Sequence, residues 1–166
     1  RQSFSGLVCG ECGYVSVPTT TANPYETAIE MTEHFVQLSG TLESTALCAT
    51  RLALLQGLGV SGGSILDIGC SVGEFLKMAQ DYGYLVTGVD CSPWAVVHAR
   101  ARGLHDTHLM RAENLNGQFK PFDAVTLFDS LEHVTDVQGL LVHVRSLLVP
   151  EGVVVISTPD AGGVSW

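Results

Sequence analysis

Positive charge is scarce in this chain. Its 166 residues include 8 lysines and arginines against 17 aspartates and glutamates, a net charge of −9 at pH 7. Phosphate backbones and anionic lipid surfaces repel such a chain, so neither a nucleic-acid nor a membrane partner is expected. No uncharged apolar run reaches the roughly 18 residues that a membrane-spanning helix needs. The start, Arg1-Gln2-Ser3-Phe4, lacks the basic-then-apolar block of an export signal and also an initiator methionine. A piece of a longer cytoplasmic protein is therefore expected. The five cysteines are an odd number, which argues against a disulfide framework and for reduced thiols. Charged residues are only 15% and apolar residues 46%, which argues against a disordered chain. The length suits one domain.

Three stretches differ in character. Residues 1–22 form a cysteine-containing head and linker, with a short strand or hairpin around Tyr14-Val15-Ser16-Val17. Residues 23–60 read as helical from Asn23-Pro24 onward, with a break at Ser39-Gly40. Residues 61–166 alternate short apolar strands with helices. Strands are expected at 64–69, 84–90, 108–110, 122–128 and 153–157. Helices are expected at about 73–82, 93–102 and 136–148, with Ser92 as an N-cap. Pro150-Glu151-Gly152 reads as a turn before the last strand. Strands alternating with helices imply a parallel sheet, and uninterrupted apolar strands imply that both its faces are covered. The expected class is α/β, a Rossmann-like, doubly wound and mostly parallel sheet.

In such a sheet ligands bind beyond the carboxyl ends of the strands. The first loop there reads Asp67-Ile68-Gly69-Cys70-Ser71-Val72-Gly73. Counting from Gly69, the dinucleotide pattern G-x-G-x-x-G requires glycine at Ser71 and Glu74, so it fails. The phosphate-binding G-x-x-x-x-G-K-S/T is absent as well. What is present is D-x-G-x-x-x-G, whose glycines let the backbone approach a ligand closely. A carboxylate at Asp67 would repel a pyrophosphate and suits a ligand bearing an ammonium group. Asp90 stands 23 residues further on. That is close to the spacing of about 20 at which an acid reaches a ribose.

From Ile65 to Gly73 the sequence resembles the first motif of the class I S-adenosylmethionine-dependent methyltransferases, with Ser71 where glycine is common. Val86-Thr87-Gly88-Val89-Asp90-Cys91-Ser92 resembles the second. Arg111-Ala112-Glu113-Asn114-Leu115 is similar to the third, although many relatives carry Asp where Arg111 stands. Phe122 to Val134 and Leu148 to Pro159 resemble the fourth and fifth. The resemblance implies that fold and that cofactor, as S-adenosylmethionine or its product S-adenosylhomocysteine, over residues 61–160. It implies cofactor contacts from Asp67, Gly69, Cys70, Ser71, Gly73, Asp90, Cys91, Ala112, Glu113 and Asp129. The family's sheet has seven strands and this chain offers five, so a sheet truncated after the fifth strand is expected. A homodimer over the exposed edge would follow.

The activity implied is methyl transfer to a small-molecule acceptor. The alternatives are a catalytically incomplete binding fragment or interaction module, and, opposed by Ser71 and Glu74, an NAD-dependent oxidoreductase. His133, in Asp129-Ser130-Leu131-Glu132-His133, is the candidate general base. That cluster is similar to the E-x-x-E-H metal site of quinone-biosynthesis and small-RNA members. Members without metal carry the same Leu-Glu-His triplet, and no metal is expected here. The N-P-P-Y signature of amino-group methylation is absent. Cys9-Gly10-Glu11-Cys12-Gly13 resembles half of the paired zinc knuckles that precede some sugar methyltransferases. A tetrahedral site would need two more ligands, from His34, Cys48 or another chain.

Overall fold

Short β-branched runs bounded by glycine, proline or acidic residues become the strands. The computed structural model describes residues 7–8, 15–16, 37, 39–115 and 119–159. The small strands β1 (Leu7–Val8) and β2 (Val15–Ser16) pair antiparallel. Cys9, Cys12, His34 and the residues after Pro159 lie outside the described residues. Helix α1 (Leu42–Gly57) is followed by β3 (Ser64–Ile68), α2 (Glu74–Asp81), β4 (Leu85–Asp90) and α3 (Pro93–Ala101). Then come β5 (Thr107–Leu109), β6 (Phe122–Phe128), α4 (Val137–Ser146) and β7 (Leu148–Ser157).

The five strands pair in parallel in the order β5-β4-β3-β6-β7. Parallel neighbours require crossover connections, and α2, α3 and α4 provide them. Helix starts follow local chemistry. Thr41 Oγ1 accepts the Ser44 N–H at 3.2 Å, Ser92 Oγ that of Ala95 at 3.3 Å, and Asp136 Oδ1 that of Gly139 at 2.8 Å. Each cap satisfies an N–H that the helix leaves unpaired. The break expected at Ser39-Gly40 stands just before α1, with Gly40 at φ 80°.

Alternation along the strands divides the core in two. Ile65 and Ala124 face Leu52 and Leu55 of α1 and Phe75, Leu76 and Ala79 of α2. Leu66, Ile68, Val125 and Leu127 face Leu140 and Val144 of α4. Both faces of the sheet are therefore covered, as the uninterrupted apolar strands implied.

One element differs from expectation. Pro150-Glu151-Gly152 lies inside β7 and not ahead of it. Leu148 pairs with Phe122 and Val153 with Ala124, so the register shifts across a bulge. Proline cannot donate to a ladder, and Glu151 adopts φ 66°. The turn residues are real, but the strand runs through them.

Gly88 shows how tightly β4 meets the first loop. A Cβ there would lie 2.8 Å from both Cys70 Sγ and Leu76 Cδ1. Gly88→Ala is expected to lower stability by about 1–3 kcal/mol through overpacking. The check is a urea titration with a lower midpoint and an unchanged slope; a wild-type midpoint would refute the close fit.

Candidate functional site

Because the strands are parallel, the loops after β3, β4, β5 and β6 all emerge at one edge of the sheet. Together with α1 they enclose a cleft of about 500 Å³. Asp67, Gly69, Cys70 and Ser71 line it from the first loop, and Asp90 and Cys91 from the second. Ala112 and Glu113 reach it from the third, and Asp129 and His133 from the fourth. Gly73 is the N-cap of α2 at φ 78°. A Cβ on Gly73 would meet Leu104 Cδ1 at 2.2 Å, so this position needs glycine for both its backbone and its space.

Asp67 is the most deeply set of these groups, 4% exposed. Its Oδ1 accepts the Thr126 hydroxyl at 2.6 Å. Burial pushes its carboxyl up to about 7, and the Thr126 hydrogen bond and the Arg51 charge oppose that rise only in part. Burial thus works against the charged form near neutral pH. An approaching cation would draw it to the ionised form.

Asp90 closes β4. Its Oδ2 accepts the Ser71 N–H and its Oδ1 the Ser92 N–H, each at 2.8 Å. Burial raises its pKa and these two backbone bonds oppose the rise. One carboxylate thus fixes the glycine loop and the start of α3 at once. The loop is held further by the N–H groups of Gly69 and Cys70, both donating to the Val89 carbonyl at 2.8 and 3.1 Å. Ser71 sits at φ 50°, a left-handed backbone that glycine adopts more readily.

The third and fourth loops are tied together. Glu113 Oε1 accepts the Thr135 N–H at 3.1 Å and its hydroxyl at 3.0 Å. Glu113 thus brackets the 131–135 segment while lining the cleft. Asp129 stands at φ 53°, accepts the Ser157 hydroxyl at 3.1 Å and pairs with Arg51. His133 ends a single 3₁₀ turn, Leu131–His133, at the cleft wall.

The wall contributed by α1 has no counterpart in the motifs. Thr41, Ser44, Cys48 and Arg51 face the cleft from this helix. The Arg51 guanidinium lies 4.3 Å over the Phe128 ring while it pairs with Asp129. Phe128 in turn meets Phe75 edge-on at 4.9 Å. Cys48 is a buried core residue, its thiol pushed up to about 11 by burial and by the neighbouring Glu74 charge. The sequence marked this stretch only as helical; the polar partners of Ser44 and Arg51 lie 30 and 78 residues away, beyond the reach of any local pattern.

The Asp67 shift has a thermodynamic consequence. The folded chain holds this proton at pH values where the unfolded chain has lost it. Stability from the group is therefore full below about pH 4 and is lost as pH rises through about 7. The loss amounts to about 1.4 kcal/mol per pH unit at most. Relative to Asp67→Asn, the ligand-free protein should weaken steadily across that window in urea midpoints. A pH-independent difference would refute the assignment.

A family profile described as a methyltransferase domain matches residues 41–164. The ubiquinone biosynthesis O-methyltransferase of Pasteurella multocida is 32% identical over 126 residues, covering 67% of this chain and 52% of that protein. The Xanthomonas oryzae enzyme of the same name is 35% identical over 107 residues, covering 61% and 45%. The chain thus spans about half the length of these curated relatives. Among solved structures, an S-adenosylmethionine-dependent methyltransferase from Mesorhizobium loti is 31% identical with a TM-score of 0.56, covering 64% of this chain and 52% of that one. The amino pentose methyltransferase CalS10 from Micromonospora echinaspora, 20% identical, shares the fold with a TM-score of 0.67, over 79% of this chain and 57% of its own. With its five-stranded parallel sheet and a profile match across most of its length, the chain belongs to the methyltransferase-domain family.

Proposed function

We propose that the protein transfers the methyl group of S-adenosylmethionine to an oxygen atom of a small-molecule acceptor. The observation that carries this reading is the pair Asp67 and Asp90. They are two carboxylates at adjacent strand ends, with the glycine loop between them, facing one cleft.

The donor set fits the cofactor. Its methionyl ammonium and its two ribose hydroxyls are hydrogen-bond donors, and both acids are acceptors. Asp67 uses Oδ1 for Thr126 and keeps Oδ2 for an ammonium. Each Asp90 oxygen takes one backbone N–H and retains a second lone pair for a hydroxyl. Arg51 adds a cation to a cleft otherwise rich in carboxylates, which suits the cofactor's own carboxylate. Gly69, Cys70, Ser71, Gly73, Cys91, Ala112, Glu113 and Asp129 complete the proposed cofactor surface.

When bound, the cofactor supplies a methyl group already activated on a sulfonium, so the protein need only position and deprotonate. His133, an imidazole on the cleft wall, takes the proton of the acceptor hydroxyl. The O-methyltransferase relatives at 32% and 35% identity support an oxygen acceptor. The free thiols Cys48 and Cys70 support a reducing compartment, the cytoplasm.

Calorimetry with S-adenosylhomocysteine is the direct test. Binding is expected, and Asp90→Ala should weaken it roughly 10- to 100-fold, the worth of charge-assisted hydrogen bonds of about 1.5–3 kcal/mol. Binding of NAD in its place would overturn the reading. Once an acceptor is found, His133→Ala should lower kcat about 10²- to 10⁴-fold while leaving S-adenosylhomocysteine affinity unchanged. An unchanged kcat would remove His133 from the chemistry.

A further inference from the structure

Glu74 is the first residue of α2, directly after the glycine loop. Its side chain does not point along its own helix. Instead Oε1 accepts the Gly40 N–H at 2.6 Å, and Oε2 accepts the Ser44 hydroxyl. Both donors belong to the entry of α1, 34 and 30 residues earlier in the chain. Ser44 stands one turn before Cys48 and two before Arg51, so all three share the face that lines the cleft.

Two other contacts hold the same element. Ser39 Oγ accepts from Arg102, just beyond α3, and Arg51 pairs with Asp129 after β6. The apolar anchors of α1, Cys48, Leu52 and Leu55, are all at or beyond its second turn. Its first turn has little apolar hold, since Leu42 is 90% exposed. What keeps that turn against the cleft is polar, and Glu74 supplies two of the bonds from the residue that follows Gly73.

From this we infer that Glu74 is a positioning residue that pins the first turn of α1 to the glycine loop and so holds the wall of the cleft closed. This inference rests on the cleft being the ligand site, as in the reading above, but not on which ligand enters. It gives the loop and the wall a common fixing point. A ligand that settles on residues 69–73 also steadies residues 40–51, and a wall that swings out takes its Thr41, Ser44 and Arg51 surfaces away from the ligand.

The test is hydrogen exchange followed peptide by peptide, with and without S-adenosylhomocysteine, in four variants. Glu74→Ala should speed exchange over residues 40–51 roughly tenfold in the ligand-free protein, the effect of losing about 1.4 kcal/mol of hydrogen bonding. Glu74→Gln keeps one acceptor oxygen and should restore most of the protection. Ser44→Ala, which leaves α2 untouched, should loosen the same peptides by a smaller factor and keeps the test decisive if Glu74→Ala does not fold. Lys77→Ala removes only the exposed pair with Asp81 on the outside of α2 and should leave residues 40–51 unchanged. Wild-type exchange over residues 40–51 in both Glu74→Ala and Ser44→Ala would overturn the inference. So would protection by S-adenosylhomocysteine that stops at the glycine loop. If the variants loosen α1 as expected but S-adenosylhomocysteine does not bind the wild type, the pinning role stands and the cofactor reading falls.

Discussion

Parallel pairing sets three residues side by side at one level of the sheet: Thr126 of β6, Asp67 of β3 and Gly88 of β4. Everything at the site depends on that row. Asp67 is a carboxylate in a place where burial opposes charge, and the Thr126 hydroxyl 2.6 Å away is what makes its position tolerable. On the other side Gly88 offers no side chain, which leaves room for Cys70 and Leu76 to close over the loop. A one-residue slip in either pairing would send Asp67 to the opposite face, into the apolar cluster beneath α4.

Charge and shape at the cleft then follow from a few shared partners. Asp90 orders the loop that begins beside Asp67, and the same side chain starts α3. Glu113 binds the third loop to the fourth, and Asp129 binds the fourth to α1 through Arg51. The surface is thus built by carboxylates that each join two segments. A site made this way presents acceptors inward without leaving them as isolated buried charges, which the interior would not support.

Much of this was legible in the sequence because it is local. Short apolar runs ending in Asp-x-Gly or in Asp, Ser92-Pro93 at a helix start, and the glycine spacing all act within a few residues. They marked β3, β4, α3, the loop, Asp67 and Asp90. What was hidden is non-local. Arg51 and Asp129 are 78 residues apart, and Glu74 and Ser44 are 30 apart, so no periodicity joins them. Glu113 read as an acid at the ligand, and only the fold brings Thr135 to it. Pro150-Glu151-Gly152 has turn composition, and the pairing of Val153 to Ser157 with β6 carries the strand across it regardless. Local preference sets the bend there and the sheet sets its use.

The contact between Gly88 and Cys70 has a consequence for how such a chain can change over time. A strand and a loop share one small volume, and position 88 has no room to grow while Cys70 and Leu76 stay as they are. A bulkier residue at position 88 is admissible only in a lineage that has already trimmed position 70 and relaxed Leu76. The order of substitutions matters, and the two sites drift as a unit. Sulfur at position 70 is then a matter of size more than reactivity: a thiol fills the notch that the missing Cβ leaves, and its burial keeps it in the uncharged form.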